Sequence, residues 1–233
     1  MVKVAELKKI SCLQNLQSDD LASIAARVIS KTYEPDEVIS FEGSQCRGLK
    51  FVLSGRVKVF KTSEEGREHI FYLARPGDAF CEMNIFDEGP SLLSASAVVT
   101  SEIYSIPISD IRNLINKIPE LAIIMLRLFS DRLKTFVGLV EDLSFKNVPE
   151  RLAKILLEII DREGATSGAN VILKRNITLY EMASLIGTVR EVITRSLQKL
   201  EKSGILKVDR NKIEVLNIDK LREIAGGEPG FKK

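Results

Sequence analysis

Two arginines and a glutamate in the C-terminal third have the residue types and the spacing needed to read DNA bases. Arg190 and Glu191 come directly after Gly187-Thr188-Val189, and Arg195 follows about one helical turn later. An arginine can donate two hydrogen bonds to guanine O6 and N7, and a glutamate can accept one from cytosine N4. Such side chains must stand at the exposed start of a helix that enters the major groove. We therefore expect a helix-turn-helix over residues 178–200.

The residues around this group predict its two helices. Thr178-x-x-Glu181 and Thr188-x-x-Glu191 are both capping-box patterns, which satisfy free N–H groups at a helix start. Gly187 permits a sharp turn between the helices. Apolar residues recur at helical spacing and should face the core, namely Met182, Leu185, Ile186, Ile193, Leu197 and Leu200. A solvated helix face with ion pairs is the alternative for the arginines, but it accounts for neither the caps nor the turn.

A β-hairpin is predicted after the second helix. Two alternating apolar runs, 205–208 and 213–216, flank a polar tetrapeptide, as in the wing of a winged helix. Arg210 and Lys212 at its tip suit phosphate contacts. Residues 146–233 contain 17 basic and 12 acidic side chains, against 17 and 20 in the rest, a distribution that favours DNA as a partner. The candidate DNA-binding residues are Thr178, Val189, Arg190, Glu191, Thr194, Arg195, Lys199, Arg210 and Lys212.

Residues 31–107 have a different pattern. Short runs of Val, Ile and Phe alternate with glycine turns about every 10–12 residues, and no helical periodicity intervenes. This spacing predicts an antiparallel barrel or roll, closed so that little strand edge is exposed. Ser54-Gly55 is expected to form a hairpin turn inside it. Short helices should precede the roll, one of them capped by Ser18-Asp19-Asp20.

A long helix is predicted between the roll and the helix-turn-helix. Residues 120–145 contain no proline and a single glycine. Apolar residues recur there every 3.5 residues on average, which is typical of a coiled-coil seam between two copies of the chain. A helix buried within one subunit is the alternative, but about 25 residues span nearly 40 Å, more than a small roll can cover. The predicted seam, interrupted by Arg132, consists of Met125, Phe129, Phe136, Leu139 and Leu143.

The overall composition excludes several classes of protein. Hydrophobic residues make up 45% and charged residues 28% of the chain, as in ordinary globular proteins. No leader sequence or membrane-spanning run is evident, so we expect a cytoplasmic protein with no membrane partner. Cys12, Cys46 and Cys81 are scattered and should be reduced, without forming a metal site. A metalloenzyme on the roll would need two or three histidines, whereas His69 is alone, so we expect no enzyme.

The order of roll, long helix and winged helix-turn-helix resembles the Crp–Fnr family of bacterial transcription regulators over essentially the whole chain. The segments that carry the resemblance are 186–195 (IGTVREVITR), 52–57 (VLSGRV) and 76–82 (PGDAFCE). It implies an α+β fold with an allosteric, effector-sensing β-roll of the cyclic-nucleotide-binding type (a double-stranded β-helix). It also implies a homodimer on a palindromic operator, RNA polymerase as a further partner, and Arg190, Glu191 and Arg195 as base-reading residues. The corresponding domains are the roll with its flanking helices at 1–118, the dimerisation helix at 119–145, a hinge at 146–149 and the winged helix-turn-helix at 150–233.

The family's cyclic-nucleotide pocket is altered in this sequence. Glu82 is retained, but segment 89–95 has leucine where the resemblance calls for the phosphate-binding arginine, and Phe136-Val137 replaces a Thr-Ser pair. These changes argue against cyclic AMP, and the scattered cysteines argue against an iron–sulfur cluster. Haem or a gas, a small organic ligand, redox control through Cys81 or Cys12, and effector-independent binding stay open as alternatives. The expected pocket residues are Glu82, Met83, Leu92, Ser94, Phe136, Leu139 and Val140.

Overall fold

The computed structural model describes residues 2–45, 47–83, 85–86, 89–163, 165–167, 170–174, 177–209 and 212–226. It forms two compact units, Met1–Val137 and Gly138–Lys233. None of the helices in the described part of the chain is long and apolar enough to cross a membrane.

The first unit is an antiparallel roll flanked by helices, as the turn spacing predicted. Its sheet has the strand order β1-β6-β3-β4, with β2 added to β6 and β5 added to β3. The elements are α1 (Val4–Leu7), α2 (Ser18–Ala25), β1 (Ile29–Tyr33), β2 (Val38–Ser40), β3 (Gly48–Thr62), β4 (Glu68–Ala74), β5 (Ala79–Phe80), β6 (Ser94–Pro107), α3 (Ile108–Lys117) and the long helix α4 (Glu120–Phe145). The cap predicted at Ser18 is wrong, because α2 begins at that residue and its N-cap is Gln17, which makes no side-chain cap.

The hairpin predicted at Ser54-Gly55 is wrong, since these residues lie within the continuous strand β3. The pairing of β3 with β6 shifts register on both sides of Ser54, so the glycine bends one long strand. Gly55 has a φ of 89°, and an added Cβ would lie 2.2 Å from the Ser101 hydroxyl oxygen. Glycine is therefore required there for the close approach of the paired strand β6 rather than for a chain reversal.

Two apolar clusters stabilise the first unit. One joins the N-terminal helices to α3 and to the first turns of α4, and includes Leu7, Ile24, Ile111, Leu121 and Met125. The other fills the roll and includes Val52, Val59, Phe80, Leu93 and Ile103. Each fully buried side chain of this size contributes about 1.5–3 kcal/mol through removal from water.

The long helix α4 presents two different apolar faces. Met125 is buried in its own subunit, and Phe129 packs on the same cluster, while Phe136 packs on the interior of the roll. Met125 is therefore too buried for an exposed dimer seam, while the assignment of the half-buried Phe129 and Phe136 to that seam stays a prediction. Spacing of 3.5 residues identifies an apolar stripe, but it does not identify the surface that the stripe meets. The exposed apolar residues in the first-unit part of α4 are Ile123, Leu126, Leu133 and Val137.

The second unit is a helical domain with a small antiparallel sheet of order β7-β8-β10-β9. Asn147 joins α4 to the next helix, and its side-chain oxygen accepts a hydrogen bond from the Glu150 N–H at 3.1 Å. The Glu150 carboxylate accepts one from the Asn147 N–H in return. The elements are α5 (Val148–Glu163), β7 (Ala165–Ser167), β8 (Asn170–Lys174), α6 (Leu179–Ile186), α7 (Arg190–Lys202), β9 (Leu206–Val208), β10 (Lys212–Val215) and α8 (Ile218–Ile224).

Candidate nucleic-acid interface and effector pocket

The first helix of the predicted helix-turn-helix begins with the expected reciprocal cap. The Thr178 hydroxyl oxygen accepts a hydrogen bond from the Glu181 N–H at 3.1 Å. The Glu181 carboxylate accepts one from the Thr178 N–H at 2.7 Å. This capping box is confirmed, and it fixes the start of α6 at Leu179.

The turn between α6 and α7 also forms as predicted. Gly187 adopts a left-handed conformation with φ 68° and ψ 48°, and the Thr188 N–H donates to the Ala183 carbonyl at 2.9 Å. The second capping box is wrong, because the N-cap is Val189 and it makes no side-chain cap. Thr188 belongs to the turn and lies one residue before the N-cap position of α7. Glu191 instead lies in the first turn of α7, where the helix dipole favours a negative charge.

Helix α7 presents charged side chains on one side and a core on the other. Ile193, Leu197 and Leu200 are buried, so the helix is held along one face. Arg190 and Arg195 are exposed, as are Val189, Glu191 and Lys199. Thr194 is only half-buried, and its hydroxyl donates to the Arg190 carbonyl at 3.0 Å. An exposed guanidinium pair at a helix start can donate paired hydrogen bonds to guanine edges or to phosphates.

The wing forms from β9 and β10, which pair in antiparallel register. Lys212 is the first residue of β10, and its ammonium group lies 3.8 Å from carboxylate oxygens of both Asp209 and Glu214. These long ion pairs are weak in solvent, so the ammonium group can exchange them for a phosphate. Arg210, the other predicted wing contact, lies outside the described residues.

An ion pair between the roll and α4 occupies the expected effector pocket. The Glu82 carboxylate is 1% exposed, and Arg132 Nε donates to its Oε1 at 2.5 Å. Arg132 Nη2 also donates to the Ala79 carbonyl at 3.2 Å. The guanidinium carbon lies 3.4 Å from the centre of the Tyr72 ring, a cation–π contact. Arg132 thereby donates a hydrogen bond to one oxygen of the Glu82 carboxylate and covers one face of the Tyr72 ring.

Two buried polar atoms beside this ion pair have no hydrogen-bond partner within the described chain. They are Glu82 Oε2 and the Tyr72 hydroxyl. Burial, and then the nearby Glu82 carboxylate, raise the pKa of Tyr72 well above its ordinary value of 10.0, so the phenol stays protonated at neutral pH. Leaving a buried polar group unpaired costs about 1–3 kcal/mol, and more for a charged one.

Aromatic rings line the same part of the roll. Phe71 on β4 meets Phe136 on α4 edge to face at 5.7 Å between ring centres, and His69 meets Phe71 in the same way at 5.0 Å. Cys81 and Met83 pack on the same cluster. The site is therefore an apolar, aromatic enclosure with one compensated ion pair inside it.

The predicted pocket set is only partly brought together. Glu82, Met83 and Phe136 border the roll interior. Leu92, by contrast, is 56% exposed, and its neighbour Leu93 is the buried leucine of that segment.

Ser94, another predicted member, makes a different contact within the first unit. The Ser94 hydroxyl accepts a hydrogen bond from the Glu42 N–H at 2.9 Å, which commits it to a neighbouring loop. Leu139 and Val140 belong to the second unit, and their place in the pocket stays a prediction. Leu143, from the predicted seam, belongs there as well and is exposed.

Sequence reasoning missed Tyr72 and misplaced Arg132. A signal for Arg132 was present, because an arginine inside an apolar helical stripe needs a carboxylate if that stripe packs on a core. Glu82 was the acid already assigned to the roll interior. Tyr72 offered no comparable signal, since a tyrosine on an alternating strand is expected at many half-buried positions.

The cysteines differ in environment. Burial raises the pKa of the Cys12 thiol to about 12, so this thiol is not a reactive thiolate at neutral pH. Cys81 takes a left-handed φ of 61°, and its sulfur lies 3.5 Å from the Ser40 hydroxyl. Cys46 lies outside the described residues. No group of three or more potential metal ligands occurs among the residues described.

Two family models match the chain in the order of its two units. The cyclic nucleotide-binding domain model matches residues 30–118. The Crp-like helix-turn-helix domain model matches residues 150–224. The first match covers the strands of the roll and α3, and the second covers the winged helix-turn-helix.

Full-length relatives give the same assignment. The chain is 31% identical to the cyclic AMP receptor protein of Thermus thermophilus, over 84% of this chain and 88% of the relative. It is 30% identical to the fumarate and nitrate reduction regulatory protein of Vibrio cholerae, over 92% of this chain and 84% of the relative. A crystal structure of a CRP/FNR-family transcriptional regulator from Thermus thermophilus superposes with a TM-score of 0.70 at 26% identity, covering 87% of this chain and 100% of that one. The chain thus belongs to the Crp/Fnr family of transcription regulators, a non-enzymatic class that binds DNA through its helix-turn-helix.

Proposed function

We propose that this regulator acts as a homodimer on a palindromic operator and responds to an effector other than cyclic AMP. The observation that carries the proposal is the exposed start of α7, where Arg190, Glu191 and Arg195 point away from a buried helix face. Two such helices related by a two-fold axis would enter half-sites about one helical turn of DNA apart.

An exposed apolar stripe on α4 supports the proposal that two copies of the chain form a homodimer. Leu126, Leu133 and Val137 are each about 60% exposed, and with Ile123 they repeat at spacings of 3, 7 and 4 residues. This is the a/d pattern of a two-stranded coiled coil. An isolated subunit would leave these side chains in water, whereas a second α4 packed against them would bury them.

The pocket chemistry supports an effector other than cyclic AMP. A cyclic nucleotide carries a phosphate, and a buried phosphate needs a cation. Leucine replaces the arginine expected for that role, and the Arg132 guanidinium is already paired with Glu82. The Phe136-Val137 pair on α4 lacks the hydroxyls that the family resemblance predicts for cyclic AMP.

Helix α4 offers a physical route for control. Arg132 and Phe136 face the roll, while Leu126 and Leu133 form the exposed stripe. An effector that changes the roll contacts would shift the population between two dimer arrangements. A hundredfold change in DNA affinity needs about 2.7 kcal/mol of differential effector binding.

The DNA-binding part is tested by gel-shift titration against symmetric operators with G·C pairs in each half-site. Arg190→Ala should weaken binding by about 1–3 kcal/mol in each half-site and relax the base preference there. Lys220→Ala removes an exposed positive charge from α8 and serves as the control. Equal affinity of the Arg190→Ala protein and the parent would overturn the assigned readout.

The effector part is tested on the purified, undenatured protein. Sedimentation gives the subunit number, and an absorption spectrum reports haem through a Soret band. Comparing DNA affinity with and without reductant, in the parent and in Cys81→Ser, tests redox control. A saturable, cyclic-AMP-dependent gain in operator affinity would overturn the proposed effector class.

A further inference from the structure

We infer that the Glu82–Arg132 site takes an uncharged aromatic molecule that carries a hydroxyl or amino donor. The inference rests on the proposed effector pocket and specifies its ligand. It starts from Glu82 Oε2 and the Tyr72 hydroxyl, the two buried atoms that make no hydrogen bond within the described chain.

The unpaired atoms determine which hydrogen-bonding group the ligand needs. A carboxylate oxygen only accepts hydrogen bonds, so Glu82 Oε2 requires a donor. The protonated Tyr72 hydroxyl can donate to, or accept from, the same ligand group. Supplying a donor removes the cost of a buried, unpaired carboxylate oxygen, which is larger than the cost of an unpaired neutral group.

The charge balance of the site determines that the ligand is uncharged. Among the described residues, Arg132 is the positive group paired with Glu82, and its Nε already donates to Glu82 Oε1 at 2.5 Å. Its Nη2 donates to the Ala79 carbonyl. An anionic ligand would therefore meet the Glu82 carboxylate at close range with the local cation already compensated, in surroundings of low dielectric.

The walls of the site determine that the ligand is aromatic. The Phe71 and Phe136 rings meet edge to face, and Met83 and Cys81 contribute sulfur to the same cluster. Aromatic rings add favourable edge-to-face contacts to such walls, and thioether sulfur packs well against ring edges. A ring placed there with its donor toward Glu82 would contact both the roll and α4.

The test is direct binding of small probes to the full chain, measured by ligand-detected NMR and calorimetry. Phenol should bind, and toluene, its isostere without a donor, should bind about tenfold or more weakly. Benzyl alcohol should bind, and benzoate, of similar size but negative, should not compete with it. Tyr72→Phe should reduce the preference for phenol over toluene. Tyr33→Phe removes a hydroxyl from a ring that lies under Lys31 and should leave the preference unchanged.

Three outcomes would overturn the inference. Equal binding of phenol and toluene would show that no donor is recognised. Tighter binding of benzoate or cyclic AMP would show an anion site. If phenol shows no saturable binding, Glu82 Oε2 accepts its hydrogen bond from water and not from a ligand. Gel shifts are run in parallel, so that phenol binding without a change in operator affinity would uphold the ligand site and reject its regulatory role.

Discussion

The proposed base-reading helix and the proposed effector pocket of this regulator are built in opposite ways. The proposed base-reading helix depends on one short stretch of chain, with the single cap, the turn and the core residues all between Thr178 and Leu200. The pocket combines Tyr72 on β4, Glu82 after β5 and Arg132 on α4. Contacts within a few residues are encoded by local patterns, whereas contacts across fifty residues depend on how whole elements pack. The two sites should therefore respond differently to single substitutions.

The largest expected effect is on the pocket. Arg132→Met keeps the length and apolar stem of the side chain but leaves the Glu82 carboxylate buried and unpaired. Breaking a buried ion pair in this way costs about 3–5 kcal/mol. Urea unfolding at neutral pH should show a correspondingly lower midpoint for the first unit.

Two further variants show whether this loss comes from the ion pair. Lys134→Met changes an exposed residue of the same helix, and its effect should stay within about 0.5 kcal/mol. Adding Glu82→Gln to Arg132→Met should restore much of the lost stability, since no unpaired charge is then buried. If the double variant is as unstable as the sum of the single variants, the ion pair is not the cause.

The contrast between the sites also explains how much the sequence revealed. The roll, the long helix, the first capping box and the turn at Gly187 were predicted, because each depends on periodicity or on one local conformation. The hairpin at Ser54-Gly55 was wrong because a strand bend and a chain reversal use the same residues. The partner of Arg132 was not predicted, since the apolar stripe of α4 does not show which of its faces meets the roll.

A smaller effect is expected at the start of the helix-turn-helix. Thr178→Ala removes the hydroxyl that caps α6, and should cost about 0.5–2 kcal/mol of stability in the second unit. Thr188→Ala is the matched control, because Thr188 lies in the turn and the N-cap of α7 is Val189. Thermal unfolding followed by circular dichroism compares the two variants. Equal losses would show that the two capping-box patterns are used alike, contrary to the observed cap at Thr178 alone.

The smallest expected effect concerns another long-range contact of the first unit. The Tyr104 hydroxyl donates to the Glu6 carboxylate at 2.9 Å across 98 residues of sequence. This hydrogen bond is the largest cause that lowers the pKa of Glu6 below its ordinary value of 4.5. A lowered pKa in the folded state stabilises the fold at pH values above the unfolded-state pKa, and this stabilisation is lost as the pH falls through the folded-state value.

Replacing Tyr104 with phenylalanine should therefore raise the pKa of Glu6 toward 4.5, which NMR titration of the side-chain carboxyl measures directly. The effect should be specific to this tyrosine, because Tyr33→Phe leaves the contacts of Glu6 intact. Stability at neutral pH should fall slightly in the Tyr104→Phe protein, and its loss on acidification should be shallower than in the parent. An unchanged Glu6 pKa would mean that the Lys3 backbone N–H, which also donates to this carboxylate, is sufficient to hold the pKa down. In that case a local contact, rather than a long-range one, would control the pKa of Glu6. The first unit would then depend on local contacts at this position, as the helix-turn-helix does.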